Sequence, residues 1–131
     1  MLNQGIAPEN IVFIGDSAGG GLCLATLLAI RDQGAPLPAA AVAYSPVTDH
    51  KCTGETHRTK VKVCLSPEGM SLALAKHYAG DKDLELPYIS PLYGDLHGLP
   101  PLLIYAGEDE TLCDDAVLFG EKAKNAGVDI T

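Results

Sequence analysis

One stretch constrains this chain more than any other: Ile11-Val12-Phe13-Ile14-Gly15-Asp16-Ser17-Ala18-Gly19-Gly20-Gly21. A short run of strand-forming residues leads into a glycine-flanked serine, and the apolar segment Leu22 to Ile30 follows at helical length. Strand, sharp turn and buried helix are the context that a G-x-S-x-G nucleophile elbow requires. The serine must sit at a strained backbone position so that its hydroxyl projects above the sheet. Bulky neighbours two residues away would collide across that turn, and Gly15 and Gly19 remove them. Strain of this kind costs roughly 1–3 kcal/mol and persists where packing enforces it. Phosphate-binding turns are the competing use of such glycines. Here no Gly-Lys-Ser/Thr follows, and glycines at 15, 19, 20 and 21 do not match G-x-G-x-x-G. Three glycines opening a helix cost about 1 kcal/mol each relative to alanine, which implies close backbone approach at that point.

The chain has 131 residues, enough for one domain over 1–131, and a globular balance of 47% hydrophobic and 20% charged residues. A net charge of −8 argues against a nucleic-acid partner or an anionic membrane surface, both of which need clustered Lys and Arg. The longest apolar stretch, Leu22–Ile30, is a core helix and no membrane span. The start, Met1-Leu2-Asn3-Gln4-Gly5, carries neither the basic nor the apolar region of a signal peptide. Cys23, Cys52, Cys64 and Cys113 form no C-x-x-C pair, and no histidine completes a zinc pattern, so no metal site is expected. A reducing, cytoplasmic setting follows, with a Cys52–Cys64 disulfide as the alternative.

In chain order, residues 1–10 read as a tail or the end of a preceding helix. The helix after the elbow is expected to end near Arg31–Gln33, with Gly34 as its left-handed cap. Ala39–Tyr44 reads as a second strand, apolar without alternation. Val47–Leu65 is a long polar excursion of the kind that is often functional. Ser66-Pro67-Glu68 has the form of a helix start, with the helix running to Tyr78 and stopping at Gly80. After a second loop, Leu102–Ala106 is the plainest strand. Gly107-Glu108-Asp109-Glu110 follows, then a helix over Leu112–Asn125 with Thr111 and Asp114 as a capping box. Lys122 and Lys124 suit the last turn, Gly127 ends it, and Val128–Thr131 begins a fourth strand.

Three alternations of strand and helix predict a parallel α/β sheet with helices on its faces, a three-layer sandwich. Chemistry in such sheets gathers beyond the carboxyl ends of the strands. Ser17, the loop after Tyr44 and the acidic loop after Ala106 all fall on that edge. A serine nucleophile needs a base, and the base needs a carboxylate to orient it. Glu110 directly precedes the expected N-cap and is free to reach across the strand ends, with Asp109 as its competitor. Acids ahead of a helix are also favoured by the dipole at roughly 0.3–1 kcal/mol each, which alone accounts for Asp114 and Asp115.

Ile14-Gly15-Asp16-Ser17-Ala18-Gly19-Gly20 resembles the nucleophile signature of the hormone-sensitive-lipase-like esterases, a branch of the α/β-hydrolase superfamily. Ser45-Pro46-Val47-Thr48-Asp49, Tyr88-Ile89-Ser90-Pro91-Leu92 and Leu99–Ile104 resemble the same family, so the similarity runs from about Asn10 to the end. The family's acid commonly stands in acid-x-Leu-x-Asp, which Glu110-Thr111-Leu112-Cys113-Asp114 fits, although aspartate is more frequent there. The resemblance implies a partial α/β-hydrolase fold and a carboxylic ester hydrolase acting on small acyl esters without metal or organic cofactor. It assigns Ser17 as nucleophile, Glu110 as acid and the Ala18 amide as an oxyanion donor.

In α/β-hydrolases the order is serine, acid, histidine, yet His50, His57, His77 and His97 all precede Glu110. His97 falls on the wrong edge of the sheet; His50 is the one histidine placed near the right edge, and it is expected as an exposed loop residue. The His-Gly-Gly-Gly oxyanion loop expected upstream is also absent. The chain therefore reads as an internal fragment of a larger esterase, lacking the cap and oxyanion-loop region before it and the histidine region after it. Alone it is expected to be inactive and prone to associate through its strand edges. The alternatives are a non-catalytic α/β binding module that keeps the elbow as a relic, and another serine acyl-transfer enzyme, a peptidase or thioesterase.

Overall fold

Three parallel strands, β1 (Val12–Asp16), β2 (Ala40–Tyr44) and β3 (Leu102–Tyr105), lie side by side in chain order in a computed structural model that describes residues 5–66 and 69–131. Register pairs Ile14 with Val42 and Asp16 with Tyr44, and then Val42 with Leu103 and Tyr44 with Tyr105. The fourth strand expected at the end is present as a parallel bridge of Ile130 to Leu102. The amides of Leu102 and Ile104 donate to the carbonyls of Asp129 (2.9 Å) and Thr131 (2.8 Å).

The connection from β1 to β2 is α1 (Ala18–Asp32). Its Leu24, Leu27 and Leu28 are fully buried against Phe13, Ala41 and Ala43 of the sheet. Gly34 ends it as expected: at φ +65 it lets its own amide reach Arg31 O (2.8 Å) and that of Ala35 reach Ile30 O (3.0 Å). That pair of bonds is a Schellman cap. Arg31 also donates to the carbonyls of Asp95 and His97, tying the end of α1 to the loop before β3.

The connection from β2 to β3 carries a single turn, α2 (Thr56–Thr59), then α3 (Met70–Ala79). The expected helix start at Pro67 and Glu68 lies outside the described residues, as do residues 1–4. Immediately before α3 stands Gly69 at φ +76, a conformation no helix contains, so Ser66 is not its cap. The last helix, α4 (Cys113–Asn125), buries Phe119 and Ala123 beside Leu102 and Ile104. It ends in a second Schellman cap at Gly127, with Val128 N donating to Ala123 O (3.0 Å). Lys122 serves more than the helix dipole, since its ammonium donates to Leu92 O at 2.7 Å.

Of the three layers expected, the described residues supply the sheet and one helical layer. The strand order never reverses, so right-handed crossovers deliver α1 and α4 to the same face. The other face, with Val12, Ile14, Tyr44 and Tyr105, is left uncovered by the described residues: Ile14 is 66% exposed.

Candidate active site

At the end of β1 the chain turns through Ser17, whose φ of 53° and ψ of −118° lie far from the regions that non-glycine residues favour. Three main-chain hydrogen bonds hold it there. The Ser17 amide donates to Tyr44 O (2.8 Å), and its carbonyl accepts from Gly21 N and Val47 N, both at 3.1 Å. The surrounding glycines divide into distinct roles. A Cβ on Gly15 would collide with the Gly19 carbonyl, and one on Gly21 with the Val47 carbonyl. One on Gly20 would meet Pro46 Cβ at 3.0 Å. The close approach expected from the triple glycine is therefore real, and it brings the loop after β2 against the start of α1. Gly19 differs from expectation: a Cβ there would meet nothing within 4 Å, because it projects away from the turn.

Ser17 is exposed and its side chain caps nothing. Ala18 begins α1, so its amide is one of the four N–H groups that have no intrahelical partner. Serine hydroxyl and free amide stand together at the carboxyl edge of the sheet. A cavity of about 240 Å³ opens there, lined by Ser17, Ser45, Cys64, Glu110 and Leu112 among others. Ser45 repeats the Ser17 device on the next strand: it has φ 42°, with its amide donated to Tyr105 O (2.6 Å). Sequence reading missed it, since a Ser-Pro pair at a strand end looks like an ordinary turn.

Glu110 lines this cavity, and its carboxylate folds back over Gly107, where an added Cβ would lie 2.8 Å from Oε1. Glycine at 107 leaves the room that this carboxylate occupies. Asp109 faces elsewhere. Its side chain is 77% exposed and paired with Lys60 at 2.9 Å. Cys64 shares the cavity; burial pushes its thiol up, but hydrogen bonds from Thr111 and Ser66 outweigh that and hold it below the usual range. All four cysteines are free thiols.

Among the described residues no histidine lines this cavity. His77 is exposed, and exposed His97 pairs with Asp95 at 2.6 Å. His50, expected to be exposed, is buried instead: its ring stacks on Tyr78 with centroids 5.1 Å apart, and burial lowers its pKa. It helps line an apolar recess of about 340 Å³ beside Ala18, Leu22 and Leu74. The side chain of His57 is only 5% exposed, with Nε2 2.7 Å from Asp115 Oδ1.

Asp115 is the residue whose role the sequence most concealed. It is 1% exposed, and its Oδ2 accepts the amides of Thr48 (2.8 Å) and Asp49 (2.9 Å). Its surroundings are a tertiary junction and no solvated helix start. The capping box expected of Thr111 and Asp114 is replaced by a reciprocal pair across elements. Thr56 Oγ accepts the Asp114 amide (3.1 Å), and Asp114 Oδ2 accepts the Thr56 amide (3.0 Å). Thr111 does not cap α4; its carbonyl instead accepts the Thr56 hydroxyl at 2.9 Å. Gly54 permits this packing, since a Cβ there would stand 2.6 Å from Asp114 Cβ.

Residues 1–131 match the family described as alpha/beta hydrolase fold. An acetyl-hydrolase of Streptomyces hygroscopicus is 45% identical over 132 residues, covering 100% of this chain and 44% of that protein. A crystal structure of an esterase from the bacterial hormone-sensitive lipase family superposes with a TM-score of 0.96 at 46% identity, over 99% of this chain and 44% of its own. That of EstE5 soaked with p-nitrophenyl butyrate gives 0.95 at 45% identity, with the same 99% and 44% coverage. The chain thus spans less than half the length of these relatives. By motif, fold and match it belongs to the alpha/beta hydrolase fold family, in its hormone-sensitive-lipase-like branch.

Proposed function

We propose that the protein carrying this chain is a carboxylic ester hydrolase with Ser17 as its nucleophile. The observation that carries the reading is the placement of Ser17 and Glu110. A serine held at φ 53° by three backbone hydrogen bonds shares one cavity with a carboxylate at the carboxyl edge of a parallel sheet. In the reaction, Ser17 Oγ attacks the ester carbonyl as a histidine takes its proton. The alcohol then leaves with that proton, and water hydrolyses the acyl-enzyme by the same route. Glu110 orients the histidine and stabilises its charged form; the packing of Asp109 against Lys60 supports this choice. The Ala18 amide donates to the oxyanion, a contact whose loss typically costs about 2.7–4 kcal/mol of barrier stabilisation.

Among the described residues no histidine lines the Ser17 cavity, so on this reading the isolated segment has no base for Ser17 and is inactive. Small acyl esters are the substrates that the relatives' names and the apolar recess beside Ala18 suggest. A reducing, cytoplasmic setting is part of the same reading, supported by the four free thiols. The test is hydrolysis of p-nitrophenyl acetate and butyrate by the full-length protein, wild type against Ser17→Ala. Turnover in the wild type with loss to the uncatalysed rate in the variant supports the proposal. Equal rates in both would refute it.

A further inference from the structure

The turn α2 is a single turn of four residues, far below the length at which a helix stands alone. It keeps its place through side chains that all reach the beginning of α4. Thr56 bonds to Thr111 and Asp114, and His57 pairs with Asp115 at 2.7 Å with only 5% of its side chain exposed. Asp115 in turn holds the amides of Thr48 and Asp49, three and four residues beyond Ser45. Thr111 is the immediate neighbour of Glu110, whose own carbonyl accepts the Cys113 amide at 3.2 Å. One buried cluster thus braces two of the loops that line the Ser17 cavity, the one after β2 and the one before α4. A buried charge left without its partner is strongly destabilising, so the two halves of the pair depend on each other.

We propose that His57 is a positioning residue: with Asp115 it locks α2 against the start of α4 and so holds Glu110 in the Ser17 cavity. The proposal rests on the reading of Ser17 and Glu110 given above. The hydrogen bond that His57 Nε2 donates to Asp115, helped by Cys52 and opposed by burial, raises the His57 pKa to about 10, so His57 is protonated at neutral pH. The titratable groups near the pair are Cys52 beside His57, and Asp49 and His50 beside Asp115.

Steady-state kinetics on the full-length protein test this, with wild type, His57→Gln, Asp115→Asn and the surface control His97→Gln. Folded His57→Gln and Asp115→Asn should lose about 10- to 100-fold in kcat with KM within about twofold, as expected when only a catalytic group is misplaced. His97→Gln should match the wild type. An unchanged kcat in the folded variants would overturn the proposal while leaving the esterase reading intact. Should neither variant fold, the wild type decides: kcat falling together with the His57 NMR titration near pH 10 supports it, and kcat flat across that titration overturns it. No Ser17-dependent turnover in the wild type would overturn the functional reading and this inference with it.

Discussion

Ser17 carries backbone strain that its three main-chain hydrogen bonds hold in place, and the strain is separable from its chemistry. Ser17→Gly should raise stability by about 1 kcal/mol in urea unfolding, because glycine adopts this backbone conformation without a Cβ penalty. The same variant should abolish hydrolysis by the full-length protein. If Glu110 is the acid, as proposed, Glu110→Gln should lower kcat by roughly 10³–10⁴-fold, the scale seen when a triad carboxylate is neutralised, whereas Asp109→Asn should stay within about threefold. Rates measured side by side on one ester check both. The strained turn at Ser17 was legible because its motif must satisfy local sterics. Asp115 was not. An acid in the first turn of a helix has a sufficient local explanation, and its actual partners, Thr48, Asp49 and His57, stand about sixty residues away in the chain.

The elements themselves follow from local chemistry wherever that chemistry is self-contained. Both Schellman caps, at Gly34 and Gly127, and all three strands stand where short-range signals put them. The capping box failed because the cap of α4 comes from Thr56, on another element. No spacing rule within residues 107–125 reports a hydroxyl that arrives from elsewhere. The glycines of the elbow make the same point in reverse. Gly15→Ala and Gly21→Ala should each destabilise by about 2–3 kcal/mol or more, since the new methyl meets backbone that cannot yield. Gly19→Ala, with open space around it inside α1, should instead stabilise by roughly 0.5–1 kcal/mol. Thermal melts of the three variants would separate steric necessity from motif membership.

At the scale of the whole molecule, one sheet face stands uncovered among the described residues. Val12, Ile14, Tyr44 and Tyr105 stand on it, while parallel sheets are ordinarily covered on both sides. The isolated segment should therefore self-associate at micromolar concentration in light scattering, and Ile14→Lys with Tyr105→Lys should shift it toward monomer. Its stability should also depend on pH in a defined direction. His57 has a folded pKa raised to about 10 from 6.5, so its contribution is complete below pH 6.5 and is lost as pH rises through about 10. Urea unfolding across pH 6–10 should show this decline in the wild type and a flatter profile in His57→Gln. The layer arrangement was only half legible for a related reason. Alternation of strands and helices predicts a covered sheet, but which face each helix covers depends on strand order, which the sequence alone does not display.

The central claim is that Ser17 forms the acyl-enzyme, and covalent trapping tests it most directly. The full-length protein would be treated with a fluorophosphonate and its adduct mapped by peptide mass spectrometry. A single phosphonyl group on Ser17, absent after heat denaturation and from Ser17→Ala, is the predicted result. An adduct on another residue, or none on a folded protein that still hydrolyses esters, would contradict the account.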